Sequence, residues 1–397
     1  MEYNFDEFVE RRGTSSSKWN CGESLISTGI TDRFDEDTIA LFKADMDIAV
    51  PKPIVEAMHK TADERIYGYC EPTTEYFNAI INWFSRRYEW EIKQEEIVYS
   101  YGTVKALNAG VLAFTDEGDG VIIQRPIYPP FTNAVLSNNR VMENNQLIYD
   151  GNGNYSLNLK EFEELAKKPK TKLFILCNPH NPTGLIFSDA ELCEMARICK
   201  ENDVVIIADE IHGDLIRSYS KFTPIVKLSG YTENIVSCTA INKTFNTAGL
   251  QASAIVIQDE KLRNQFKKAL GRCVPTPFTI NAVIAAYNEC EEWLEELNKY
   301  FDETFDIVIK FLEDKMPKVK CVKPEGTYLL WLDFKDYGIT DEEIRKRIYV
   351  NANVLLGQGI HYDKDLGEGF ERICLSSPRP MVMEALERIA KAFEDIN

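Results

Sequence analysis

The sequence contains no C-x-x-C pair, no uninterrupted apolar run of about 18 residues, no basic tract and no evident internal repeat. Each absence removes a class of function. Ten cysteines are scattered along the chain without paired spacing, so no zinc site follows from them, and several fall on apolar stretches as small core residues of a reducing compartment do. Without a long apolar run there is no spanning helix. The balance of 45 Lys+Arg against 63 Asp+Glu, a net charge of −18, leaves no face to track nucleic acid or an anionic membrane. Any phosphate the protein holds should be small and locally caged. The first residues, M-E-Y-N-F-D-E-F-V-E-R-R, are acidic and mixed rather than basic then apolar, so the expectation is a cytoplasmic protein with no secretory leader.

What is present is a chain of 397 residues, 44% hydrophobic and 27% charged, long enough that a single core of up to about 300 residues would not hold it. Two domains are therefore expected. Short, continuous apolar runs recur at Ile97–Ser100, Val121–Ile123, Leu173–Leu176, Val204–Ile207, Ile235–Cys238 and Ala254–Ile257. Helical patterns, such as Asp189 to Asn202, lie between them. Strands buried on both faces in a mostly parallel sheet give this texture. After about Phe278 long helical patterns take over, followed by a strand-like stretch at Thr327–Asp333, an acidic helix from about Asp341, a glycine-rich loop around Gly357 to Gly369 and a final helix from about Met381. These read as a smaller α+β domain, joined by the N-terminal arm. The expected division is an arm over 1–50, a large domain over 51–286 and a small one over 287–397.

In a parallel sheet, ligands gather at the carboxyl ends of the strands. Those ends carry Tyr128 after Q-R-P, the run N-P-H-N-P-T-G from Asn178 to Gly184, D-E-I-H from Asp209 to His212, and Lys243 in C-T-A-I-N-K-T-F-N-T-A-G-L. A lysine among small, uncharged neighbours has a depressed pKa and can condense with an aldehyde. A carboxylate at the end of V-V-I-I-A-D is costly unless it meets a positive partner, such as the proton on a pyridine-type nitrogen. A helix opening at Gly102-Thr103 would aim free N–H groups at a phosphate. Lysine, carboxylate and phosphate site together suit pyridoxal phosphate, with Tyr128 as a lid on the ring and Asn181 and His212 as hydrogen-bonding neighbours of its hydroxyl.

At these residues the chain resembles the fold type I pyridoxal-phosphate enzymes of the class I/II aminotransferase superfamily. A-D-M-D-I-A-V-P, I-Y-G-Y, A-D-E-I-H, K-T-F-N-T-A-G-L-Q and S-S-P-R-P resemble, within them, the cystathionine β-lyase-like C–S lyase branch, over nearly the whole chain from about Ala44 to Pro380. The resemblance implies an aspartate aminotransferase-like large domain with a mostly parallel seven-stranded sheet between helices, and a homodimer. It implies Lys243 as the Schiff-base lysine and general base, Asp209 on the pyridine nitrogen, Asn181 and His212 beside the ring hydroxyl, and Tyr128 stacked on the ring. Gly102, Thr103 and Val104 would lie at the phosphate, Tyr69 would reach the phosphate of the neighbouring subunit, and Arg379 would clamp the substrate α-carboxylate. Three positions depart from the pattern: Asn242 stands where Ser is common, no arginine lies within Thr244 to Gln251, and Phe42-Lys43 replaces Trp-Val before A-D-M-D.

The function implied is β-elimination from cystathionine or a related cysteine S-conjugate, giving pyruvate, ammonia and a thiol. The alternative is an aminotransferase, which shares every residue named but returns the proton elsewhere and needs a keto acid. A third reading is a scaffold retained for regulation through another protein. No metal is expected.

Overall fold

In a computed structural model, the described residues are 3–397. The apolar runs become the strands of a seven-stranded sheet: β1 Ile97–Ser100, β2 Gly120–Ile123, β3 Val141–Asn144, β4 Thr171–Cys177, β5 Val205–Asp209, β6 Ile235–Ala240 and β7 Ser253–Val256. Their order across the sheet is β1-β7-β6-β5-β4-β2-β3. Pairings among β6, β5, β4, β2 and β3 are parallel, whereas β7 runs antiparallel to both β6 and β1. The aspartate aminotransferase-like, mostly parallel sheet of seven strands is thus present, with the run at Ala254–Ile257 as its exception.

Both faces of this sheet are covered, which is why its inner strands read as unbroken Val, Ile and Leu rather than as alternation. Ile122, Phe174, Leu176 and Ile206 pack into one core, and Val121, Leu173, Ile175 and Ile207 into the other. The helices start where the side chains cap them. Ser188 and Glu191 form a reciprocal capping box that opens the helix Asp189–Glu201, and Thr73 and Asp259 cap Thr74–Tyr88 and Glu260–Leu270.

A second, antiparallel sheet is ordered β8-β10-β9, from β8 Leu329–Asp333, β9 Gly357–Gln358 and β10 Phe370–Cys374. The long helices Pro277–Glu289 and Glu291–Lys315 precede it and the helix Arg379–Ala392 follows it. The acidic helix ends early, at Arg345, and continues as a wider π-type turn over Lys346–Asn351. From the N-terminal arm, Ile39–Ala40 pairs in parallel with Val354–Leu355 in a separate two-stranded sheet, which ties the start of the chain to its C-terminal part. Among the described residues no helix is long and apolar enough to cross a membrane.

Candidate active site

Strand register builds the floor of the site. Cys177, Asp209 and Cys238 are level across β4, β5 and β6, so the first polar group past the apolar strands is a carboxylate between two thiols. On the other side, Ser253 of β7 pairs with both Ser100 and Ala240, which puts the end of β1 level with the end of β6. Lys243 lies three residues beyond Ala240, in a single helical turn, Ile241–Thr244. One turn is short enough for the Asn- and Thr-rich sequence to close.

Above the strand ends lies a cavity of about 680 Å³. Its wall contains Tyr128, Asn181, Asp209, His212 and Lys243, five of the residues singled out in the sequence. Burial lowers the Lys243 pKa, and the nearby Arg372 guanidinium lowers it further. Its Nζ donates to the carbonyl of Ala44, which also accepts from the Tyr328 hydroxyl at 2.9 Å. The A-D-M-D segment therefore passes directly over the lysine. Burial raises Asp209 to about 7, opposed by the Ile211 N–H, which it accepts at 3.4 Å, and by the charge of Lys243. Burial first, then the charges of Lys243 and Arg372, drives the His212 pKa well down, so the imidazole is neutral, and its Nδ1 is buried without a hydrogen-bond partner.

Arg372 and Arg11 line this cavity; Arg379 does not. Arg379 opens the helix Arg379–Ala392, where its Nε donates to Thr304 Oγ1 at 3.1 Å, its Nη2 reaches Glu303 Oε2 at 3.1 Å and its guanidinium covers the Tyr300 ring at 4.6 Å. It fastens two helices together and does not line the cavity. Arg372, by contrast, is a buried residue of β10, 3% exposed. It donates through Nη1 to Asn181 Oδ1 at 3.0 Å and through Nη2 to the Phe42 carbonyl, and lies over the Tyr362 ring at 5.1 Å. Its Nε has no partner and no carboxylate is bonded to it among the described residues. A buried cation held by neutral groups alone is a place for an anion. The signal in the sequence was an arginine inside the apolar run F-E-R-I-C.

Asn181 spends its carbonyl oxygen on Arg372, which leaves its amide N–H groups for a ligand. The loop that carries it is tightly seated: at Gly184, φ is +72°, and a Cβ would collide with Pro324. Gly102, Thr103 and Val104 begin the helix Thr103–Phe114 at the end of β1, as expected, but are not part of the cavity wall. Tyr69 is fully exposed on the loop between the helices Lys52–Asp63 and Thr74–Tyr88, away from the cavity of its own chain. The sequence reading missed Ser15, Ser16, Ser17 and Leu25, through which the N-terminal region joins the cavity wall; Phe42 and Lys43, noted there as departures from the family pattern, line it too.

A family model described as aminotransferase class I and II matches residues 37–389. The chain belongs to that family. Among curated relatives of the family it is 38% identical to cystathionine beta-lyase PatB of Bacillus subtilis (strain 168) over 393 residues, 98% of this chain and 99% of the relative. Among solved structures of the family it superposes on cystalysin from Treponema denticola, which contains a pyridoxal 5'-phosphate cofactor, with a TM-score of 0.93 at 32% identity over the whole of both chains. It also superposes on the PLP-bound C–S lyase from Staphylococcus hominis with a TM-score of 0.91 at 32% identity, over 99% of this chain and 98% of that one.

Proposed function

We propose that the protein is a pyridoxal-phosphate-dependent C–S lyase that eliminates a thiol from cystathionine or a related cysteine S-conjugate. The observation that carries this reading is a buried lysine of lowered pKa sharing one cavity with a buried carboxylate and an arginine that has no acid partner. The names of PatB and of the S. hominis enzyme support the reaction class.

The residues present fit the cofactor. Asp209, raised to about 7 by burial, gains a second positive neighbour beside Lys243 if a protonated pyridine nitrogen sits against it. The orphaned His212 Nδ1 and the free amide of Asn181 are hydrogen-bonding groups facing a ligand-sized space, and Tyr128 offers a ring beside them. Gly102, Thr103 and Val104 would receive the phosphate at their helix start. When bound, pyridoxal phosphate supplies an electron sink conjugated to the substrate amine, which acidifies the Cα proton.

Arg372 holds the substrate α-carboxylate and so orients Cα. Lys243, uncharged more readily than an exposed lysine, takes the Cα proton. His212, held neutral by burial and by the charges of Lys243 and Arg372, adds no positive charge that would oppose this transfer. The Cβ–S bond then breaks with the thiolate keeping the electron pair, and water completes the release of pyruvate and ammonia. The same reading makes the protein a homodimer in which Tyr69 reaches the phosphate of the neighbouring subunit.

The test is spectroscopic and chemical. Protein reconstituted with pyridoxal phosphate should show a visible absorbance band that is lost in Lys243→Ala, and should release pyruvate from cystathionine with no keto acid added. A band without pyruvate, together with amino transfer once a keto acid is supplied, would overturn the lyase reading in favour of an aminotransferase.

A further inference from the structure

Besides Lys243, the reacting amine, the cavity is lined by two cationic side chains that meet only neutral acceptors among the described residues, Arg372 and Lys43. Its remaining cation, Arg11, is committed, with Nη2 on Asp45 and Nη1 on Asp47, both at 2.6 Å. Arg372 sits deep in the site. Lys43 sits at the exposed mouth, where its Nζ donates to Ser17 Oγ at 2.9 Å and to the Ser17 carbonyl at 3.3 Å and lies 6.0 Å from the Phe42 ring centroid. Phe42 joins the two cations, because its carbonyl accepts from Arg372 Nη2 and Lys43 is the next residue.

The same cavity is lined by the apolar side chains of Leu25, Ile30 and Leu356 and by Gln358, whose Nε2 is buried without a partner. Such a lining suits a short methylene chain with an anionic end. With the α-carboxylate on Arg372 and Cα at Lys243, the Cβ–S bond leads away from the deep arginine, and the far end of the thiol half comes to the mouth.

We propose that Lys43 is a specificity-determining residue that selects cysteine S-conjugates whose departing thiol itself carries a carboxylate, that is, substrates with an acid group at each end. This rests on the lyase reading above. Attraction at a part-exposed site is modest and is screened by salt. The expected preference is therefore about three- to fivefold, the size of a part-exposed ion pair.

The experiment compares S-(2-carboxyethyl)-L-cysteine with its neutral isostere S-(2-carbamoylethyl)-L-cysteine on the holoenzyme and on Lys43→Met, Lys43→Arg and Lys43→Glu. The acid should win in the parent protein, the ratio of kcat/KM should collapse towards one in Lys43→Met through KM, persist in Lys43→Arg and invert in Lys43→Glu, and added salt should erase it. A ratio unchanged in Lys43→Met, or a parent protein with no preference, overturns the inference. If neither these compounds nor cystathionine yields pyruvate, the lyase reading fails by itself. The same acid-over-amide comparison, made by titrating the cofactor absorbance with each compound, then decides the role of Lys43 without turnover.

Discussion

At the residue scale, two arginines seven positions apart have opposite surroundings, and the difference separates binding from stability. Arg372 is buried beside Lys243 without an acid; Arg379 is bonded to Thr304 and Glu303 on a helix surface. Replacing Arg372 by Ala removes the proposed anchor for the substrate carboxylate, and losing one member of a buried charged contact costs about 2–5 kcal/mol in binding. A fall in kcat/KM of roughly 30-fold to several thousand-fold is expected for that range. Arg379→Ala should leave kcat/KM near the parent value and lower only thermal stability, by about 1 kcal/mol or less for its exposed ion pair. Steady-state kinetics and a melting curve on both variants check this, and a kinetic loss confined to Arg379→Ala would reverse the assignment. The sequence made Lys243, Asp209, His212, Asn181 and Tyr128 legible because each lies at, or within five residues beyond, the end of a buried strand of the large sheet. It hid Arg372 because that side chain comes from a different sheet and enters the cavity through tertiary packing alone.

At the element scale, unbroken apolar runs marked the inner strands, whereas β3 escaped notice because V-M-E-N is an edge strand, partly exposed and without a run of its own. β10 escaped because Glu371 and Arg372 interrupt its pattern. The N-terminal arm was read as a loosely patterned extension, and its order comes from polar contacts that periodicity does not report. Asp47 accepts from Lys18 Nζ and Ser377 Oγ at 2.7 Å each, from Trp19 Nε1 at 2.8 Å and from Arg11 Nη1 at 2.6 Å. Burial works to raise its pKa, but Lys18, with Trp19 and Ser377, outweighs burial and holds it below the ordinary carboxylate value. A carboxyl depressed in the folded state stabilises the fold above its unfolded pKa of about 3.9, and that stability is lost as pH falls through the folded value. Lys18→Met should thus lower stability at pH 7 by about 3 kcal/mol, the low end for a broken buried pair because Arg11 remains. The gap to the parent protein should close as the solution is acidified and Asp47 becomes protonated. Urea midpoints at several pH values give the comparison, and a gap that widens on acidification would contradict it.

At the scale of the whole molecule, the chain's length and texture announced a large sheet followed by a helical, α+β part, but nothing in a single sequence shows which surfaces meet a second copy. The structure supplies a lead. In a chain of net charge −18, the exposed Val55, Ile66, Tyr67 and Tyr69 cluster on one helix and the loop after it. An open groove lined by Ile54, Val55, Met58, Ala62 and Phe278 adjoins them. The proposed homodimer would bury apolar surface of this kind, and two copies that shared it would place a fully exposed tyrosine against the other subunit. The arrangement has a consequence that burial alone does not. If each site takes Lys243 from one subunit and Tyr69 from the other, Lys243→Ala and Tyr69→Ala each impair every site in their own homodimer. A hybrid of the two carries one site with both residues intact and one with both lost. With random pairing, half of the dimers are hybrids, so coexpressed variants should recover about a quarter of the parent activity, while separately purified homodimers stay impaired. Sedimentation should show the dimer in each sample. Dimers that form normally yet recover no activity on coexpression would place Tyr69 outside the neighbouring site, and an active monomer would remove the shared site altogether.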